Sequence, residues 1–114
     1  MKTLFATTIV LVTLSLCSSA LAQLPSFPKD EPYAKARKAL LRKGWKTVHE
    51  PEGGFICQKG DPRCEGRPET VSCAGTGDAN CIFRWTRKGV VIDVNTVGET
   101  KPVVTEVICH SGCS

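Results

Sequence analysis

Apolar residues between positions 31 and 43 recur at the spacing of an α-helix with one buried side. At about 100° per residue, the apolar side chains project in one direction and basic side chains in the opposite direction. The apolar side comprises Tyr33, Ala36, Leu40 and Leu41, and the basic side comprises Lys35, Lys38 and Arg42. A membrane-surface helix has a similar pattern, but these apolar residues offer little area for lipid. The pattern therefore predicts an amphipathic helix that packs on its own domain and exposes a basic face.

The residues at the two ends of this segment suit a helix from Glu31 to Lys43. Asp30 can accept a hydrogen bond from the first backbone N–H groups, and Pro32 suits the first turn because its missing N–H is not needed there. Gly44 can end the helix in the left-handed conformation. The basic residues just before Gly44 favour the negative end of the helix dipole.

The last third of the chain has the alternation of half-buried β-strands. Cys81, Phe83 and Trp85 share one side of a strand, and residues 87–89 can turn the chain into a second strand over 90–97. Residues 98–101 can turn it again into a third strand over 102–109. These three strands predict an antiparallel meander.

Earlier strands are predicted to be short, at 45–48, 54–58 and 69–74, and the segment 57–81 has few apolar residues. The predicted fold class is α+β: one N-terminal amphipathic helix packed on an antiparallel meander of three to five strands, stapled by disulfides. The side chains predicted to face the core are Tyr33, Leu40, Phe83, Trp85, Ile92, Val94, Val103 and Val107.

The N-terminus has the features of a secretory signal peptide. Lys2 precedes an apolar run over 4–16 and the small-residue site Ala20-Leu21-Ala22, which predicts a signal peptide at 1–22. Proline-rich residues 23–30 are expected to form a flexible lead, and 31–114 to form a single domain. The apolar run is shorter than the roughly 20 residues that span a bilayer. We therefore predict a periplasmic or secreted protein without a transmembrane anchor.

Six cysteines follow the predicted cleavage site, an even number that predicts three disulfides in an oxidising compartment. Spacing leaves many pairings open; the preferred ones are the local closures 57–64, 73–81 and 109–113, and the alternative joins residue 109 to the middle segment. A metal site is a weaker interpretation, because no Cys-x-x-Cys is present and His49 and His110 are far apart in the sequence. The six residues are Cys57, Cys64, Cys73, Cys81, Cys109 and Cys113.

Charge is unevenly distributed along the chain. Residues 23–46 hold seven Lys or Arg and two acidic residues, whereas residues 47–114 hold seven basic and nine acidic residues. The basic helix face can therefore attract an anionic envelope polymer, although most basic stripes are only solvated surfaces. Aromatic residues are not interleaved with these charges, which argues against nucleic acid as a partner.

No arrangement of residues points to catalysis. His49 and His110 lie in polar, turn-like sequence, and no nucleophile motif accompanies them. The carboxylates at 50, 52, 65 and 69 are interpreted as surface charge, because glycosidases need a long cleft that so short a chain rarely provides. We predict that the protein is not an enzyme and uses no cofactor; a small hydrolase with an unrecognised site is the alternative.

The segment 60–69 is the most distinctive candidate for binding. It alternates Arg and Glu on a loop framed by cysteines, and a preorganised loop loses little entropy on docking. The alternative is that these side chains pair with each other or with loop carbonyls. The candidate binding residues are Arg63, Glu65, Arg67 and Glu69 on this loop and Lys35, Lys38 and Arg42 on the helix.

Several segments resemble those of small exported proteins of Gram-negative bacteria whose role is uncharacterised. They are Gly44-Trp45, Gly60-Asp61-Pro62-Arg63-Cys64-Glu65-Gly66-Arg67-Pro68-Glu69, and Cys73-Ala74-Gly75-Thr76-Gly77 leading to Cys81-Ile82-Phe83-Arg84-Trp85. The resemblance covers nearly all of the predicted mature chain. It implies a periplasmic or secreted location and brings no known activity or catalytic residue.

These features together predict a small exported binding module, with an inhibitor or immunity-type protein of the bacterial envelope as the leading form. The second hypothesis is a structural or stress-related envelope protein that binds anionic polymer through its basic helix. The expected partner is therefore a protein or an anionic envelope polymer. Strong salt dependence of binding would favour the second hypothesis.

Overall fold

The computed structural model describes residues 9–12 and 24–114, so the predicted signal peptide lies outside the described residues apart from 9–12. Within these described residues, one helix precedes five strands that form a single antiparallel sheet, ordered β1-β3-β4-β5 with β2 also paired to β3. Among the described residues, no helix is long and apolar enough to cross a membrane. The elements are α1 (Tyr33–Arg42), β1 (Lys46–Thr47), β2 (Thr70–Cys73), β3 (Cys81–Arg87), β4 (Val90–Val97) and β5 (Val103–Ser111).

Helix α1 is shorter than the predicted 31–43 and lies within the chain rather than at its N-terminus. It begins later than predicted because the residues just before it pair with the sheet. Pro32 forms a bridge with Val103, and the carbonyl of Glu31 accepts a hydrogen bond from the Val104 N–H at 2.8 Å. The N-cap is Pro32, with no side-chain cap hydrogen bond. The prediction that Asp30 caps the helix is therefore wrong.

The hairpin of β3 and β4 is confirmed. Lys88 and Gly89 join the two strands with φ angles of +49° and +80°, and positive φ at both turn residues matches the right-handed twist of a hairpin. Strand β4 covers the predicted range. The strand predicted at 54–58 is absent from the structure, where residues 53–54 form a turn and 55–58 have no regular structure.

Strand β5 contains a register shift that reverses its alternation. Asn95 pairs with Glu106, but Thr96 pairs with Val104, so one extra residue of β5 is left between the two pairs. Val104 is consequently buried and Val103 only half-buried. The prediction that Val103 faces the core is wrong for this reason.

The core lies between α1 and the inner face of the sheet. The ring of Tyr33 stacks on that of Phe83 with centroids 3.8 Å apart, and the indole N–H of Trp85 donates to the Tyr33 hydroxyl at 3.1 Å. Leu40 is fully buried, whereas Leu41, predicted to lie on the same side, is 46% exposed. Burial of each large side chain contributes about 1.5–3 kcal/mol.

All three preferred disulfides are confirmed: Cys57–Cys64, Cys73–Cys81 and Cys109–Cys113. The second joins neighbouring residues of β2 and β3, which are partners in the sheet register. The third joins Cys109 in β5 to Cys113, which follows the end of the strand. Three disulfides are typical of a protein from an oxidising compartment.

Candidate functional site

Arg63 holds the cysteine-framed loop together from within. Its guanidinium donates to the Asp61 carboxylate at 2.8 and 3.0 Å and to the Ala74 carbonyl at 2.6 Å. The hydrogen bond between the two side chains lowers the pKa of Asp61 and raises the pKa of Arg63. Only 12% of the Arg63 side chain is exposed, so most of its hydrogen-bonding capacity is used inside the protein.

Glu69 belongs to a buried hydrogen-bonded chain. Its carboxylate accepts from the Tyr33 hydroxyl at 3.0 Å and from Arg37 Nε at 2.5 Å. Burial, followed by the neighbouring Glu69 charge, raises the pKa of Tyr33 well above its ordinary value. Glu69 is 0% exposed and therefore cannot lie on a recognition surface. Through these hydrogen bonds, Glu69 connects the residue just before β2 to Tyr33 and Arg37 of α1.

Arg67 and Glu65 also make contacts within the domain. The guanidinium carbon of Arg67 lies 4.9 Å from the centre of the Tyr33 ring, and Arg67 donates to the Arg63 carbonyl at 3.0 Å. Glu65 is exposed and accepts a hydrogen bond from the Gly60 N–H. Internal pairing, the alternative stated for this loop, thus accounts for contacts of all four candidate residues.

An open groove of about 510 Å³ lies beside this loop and is lined mainly by apolar side chains. Ile56 on its wall is 76% exposed, and the Cys57–Cys64 disulfide lines the same groove. His49 Nδ1 lies 2.9 Å from the Pro68 carbonyl. Because a carbonyl only accepts, Nδ1 is the donor in this hydrogen bond. Sequence reasoning missed Ile56 because it assigned 54–58 to a strand.

A second charged cluster, also missed, is centred on Arg84 of β3. The guanidinium makes two hydrogen bonds to Asp93, at 2.8 and 3.1 Å, and reaches Glu50 at 3.0 Å and Glu52 at 3.3 Å. The hydrogen bond to Asp93 is the largest cause of a raised Arg84 pKa. Arg84 and Asp93 are register partners in the hairpin, so the predicted pairing of these strands could have revealed them.

The chemistry of the Arg84 cluster is ion pairing. His110 Nδ1 lies 3.3 Å from Arg84 Nη2 and 3.6 Å from an Asp93 oxygen. Among the described residues, no serine, threonine or cysteine side chain forms a hydrogen bond with His110. Within residues 9–12 and 24–114, no group of three or more His, Cys, Asp or Glu is placed to hold a metal ion. The cluster fastens the segment before residue 53 to the outer face of the sheet.

The helix candidates Lys35, Lys38 and Arg42 are all exposed, as the helical pattern predicts. Lys35 Nζ lies 3.9 Å from a Glu31 oxygen, a surface pair of small energetic weight. The structure does not bring these three residues together with the 60–69 loop, since no hydrogen bond or ion pair joins the two sets among the described residues.

No protein-family model, curated protein or solved structure matches the chain. The resemblance to exported proteins of Gram-negative bacteria therefore stays a prediction.

Proposed function

We propose that the protein is an exported binding module that recognises a partner protein through the apolar groove beside the cysteine-framed loop. The observation that carries this proposal is the 76% exposure of Ile56 on the wall of that groove. A large aliphatic side chain in a rimmed apolar depression is the usual form of an interface anchor. Burial of Ile56 against a partner would contribute about 1.5–3 kcal/mol.

The segment around the groove is already ordered before any partner arrives. The Cys57–Cys64 disulfide closes the chain just after Ile56, and Arg63 bonds the same loop to the Ala74 carbonyl. A rigid loop loses little conformational entropy when it docks. This rigidity favours the groove over Leu41, an exposed aliphatic side chain on α1 that does not line it.

The groove replaces the alternating Arg and Glu side chains as the centre of the proposed surface. Arg67 lines the groove and can contribute at its edge, whereas Arg63 and Glu69 support the loop from inside. An inhibitor or immunity-type role in the bacterial envelope fits a small, rigid domain of this kind. The proposed partner is a protein that presents an apolar side chain or an extended segment to the groove.

The test is affinity capture from bacterial envelope extract with the oxidised protein, comparing Ile56→Asp with the parent. We expect Ile56→Asp to weaken capture of the partner by more than about tenfold, because it places a charge where an apolar contact forms. Leu41→Asp is the matched control, since it changes another exposed large aliphatic residue in the same way. We expect the control to weaken capture by less than about threefold.

Melting temperatures of both variants should equal that of the parent, since both side chains are exposed. A captured partner that binds Ile56→Asp as tightly as the parent would show that recognition lies elsewhere. Binding that fades with added salt and is insensitive to Ile56 would support the anionic-polymer hypothesis instead.

A further inference from the structure

Four basic residues line one depression beside the C-terminus of α1. The depression has a volume of about 340 Å³, and no acidic residue lines it. None of the exposed helix residues Lys35, Lys38 and Arg42 lines it. Its lining residues, here called the basic depression, are Lys43, Gly44, Lys46, Thr86, Arg87 and Lys88.

Three separate elements bring these cations together. Gly44 has a φ of +86°, a left-handed conformation that lets the chain leave α1 and turn into β1. Lys46 of β1 then pairs with Thr86 of β3. Lys88 follows in the turn between β3 and β4. The cluster is thus a product of the tertiary fold and not of helical spacing.

Arg87 is held in place before any ligand binds. Its guanidinium carbon lies 4.8 Å from the centre of the Trp45 ring, and one Nη donates to the Lys43 carbonyl at 3.1 Å. That single hydrogen bond leaves other N–H donors of the guanidinium unused among the described residues. A preorganised guanidinium fork suits the oxygens of a phosphate group.

The positive charge of the depression is not balanced inside the protein. Within the described part of the chain, none of its four cations forms an ion pair, whereas Arg37, Arg63 and Arg84 each contact a carboxylate. Like charges held around one depression repel one another, and a bound anion would relieve that repulsion.

We propose that the basic depression binds a compact ligand that carries two or more phosphate groups. Convergence of four cations on a small volume favours a compact multivalent anion, because a membrane surface or a nucleic-acid duplex would need charge spread over a broad face. The site is separate from the apolar groove. It would therefore stand if the proposed protein partner did not exist.

The test is calorimetric titration of tripolyphosphate into the oxidised protein at an ionic strength of about 0.1 M, where charges more than about 10 Å apart are screened. We expect saturable binding by the parent. The double variant Lys46→Glu/Lys88→Glu should weaken binding by more than about tenfold, because it reverses two charges at the site.

The matched control is Lys59→Glu/Lys101→Glu, which gives the same net charge at two exposed lysines that do not line the basic depression. We expect it to weaken tripolyphosphate binding by less than about threefold. All four substituted lysines are exposed, and equal melting temperatures would verify that both variants fold.

Equal weakening by the two double variants would overturn the proposal, since only the overall charge would then matter. Failure of the parent to bind tripolyphosphate would overturn it as well. Vesicles of anionic phospholipid and a DNA duplex serve as competing probes. If either binds the parent and tripolyphosphate does not displace it, the assignment to a compact phosphate ligand is wrong.

Discussion

At the scale of single residues, a charged side chain in the sequence is not always an exposed side chain in the structure. Glu69 and Arg84 look like surface residues in sequence, yet they are 0% and 4% exposed. Each is paired, as buried charges must be, because removing an unpaired charge from water is costly. Arg37, which sequence reasoning did not single out, supplies the partner of Glu69.

We predict that Arg63→Ala destabilises the domain by about 1–3 kcal/mol, because it leaves Asp61 and the Ala74 carbonyl without their donor. Lys59→Ala is the control, since Lys59 lies in the same segment with an exposed side chain, and its effect should stay within about 0.5 kcal/mol. Chemical denaturation of both variants measures the difference. Equal stability of Arg63→Ala and the parent would contradict a structural role for Arg63.

The Arg63 contribution should also depend on pH. The pKa of Asp61 is lowered in the folded state, so the pair stabilises the protein above the unfolded-state pKa of this carboxyl group. That stability is lost as the pH falls through the folded-state pKa. The difference between the parent and Arg63→Ala is therefore expected to shrink in acid.

At the scale of elements, local patterns predicted best. Strand β4 and its turn follow from alternation and from Lys88-Gly89, both of which act between sequence neighbours. The predicted start of α1 is wrong because Pro32 forms a bridge with Val103, a residue distant in sequence, and so belongs to the sheet. The shift in β5 was missed for the same reason, since a bulge is defined only by the partner strand.

The orientation of α1 gives a direct test at this scale. We predict that Leu40→Asp severely destabilises the protein, because Leu40 is fully buried and an unpaired carboxylate in the core is costly. Lys38→Asp, on the exposed side of the same helix, should change stability by no more than about 0.5 kcal/mol. Circular dichroism melts of the two variants suffice. Similar losses in both would mean that the docking of α1 is wrong.

At the scale of the whole molecule, the preferred local disulfides are confirmed although spacing left other pairings open, whereas neither of the two surfaces was predicted. The three disulfides join cysteines that are 7, 8 and 4 residues apart in the sequence. Such local pairs can be proposed from spacing. The groove instead joins His49 to Ile56 and Thr70, and the basic depression joins Lys43 to Lys88. Surfaces built from distant segments appear only after the chain has folded.

The disulfides themselves divide into two kinds. Cys81 belongs to the core, and Cys73 and Cys113 pack against it. Cys57 and Cys64 close a loop whose neighbours form the groove. In the chain-entropy model each local closure contributes about 2–3 kcal/mol. Cys81 also packs within the main core cluster, whereas Cys64 is buried outside that cluster.

We therefore predict that Cys73→Ala/Cys81→Ala lowers the global melting temperature more than Cys57→Ala/Cys64→Ala does. Loss of the core pair removes a cross-link and leaves a cavity beside the buried strand β3. Loss of the outer pair frees the loop that carries Ile56 and should weaken partner binding more than stability, because the loop must then be ordered on docking. Calorimetric melts and the capture assay on the same samples separate the two effects. Equal melting temperatures for the two double variants would show that both disulfides stabilise only through their loops.

The three disulfides also predict the thiol content of the domain. A thiol count on the denatured parent should find none of the six cysteines of the domain free, because each is paired in the fold. Two or more free thiols would refute the three-disulfide framework.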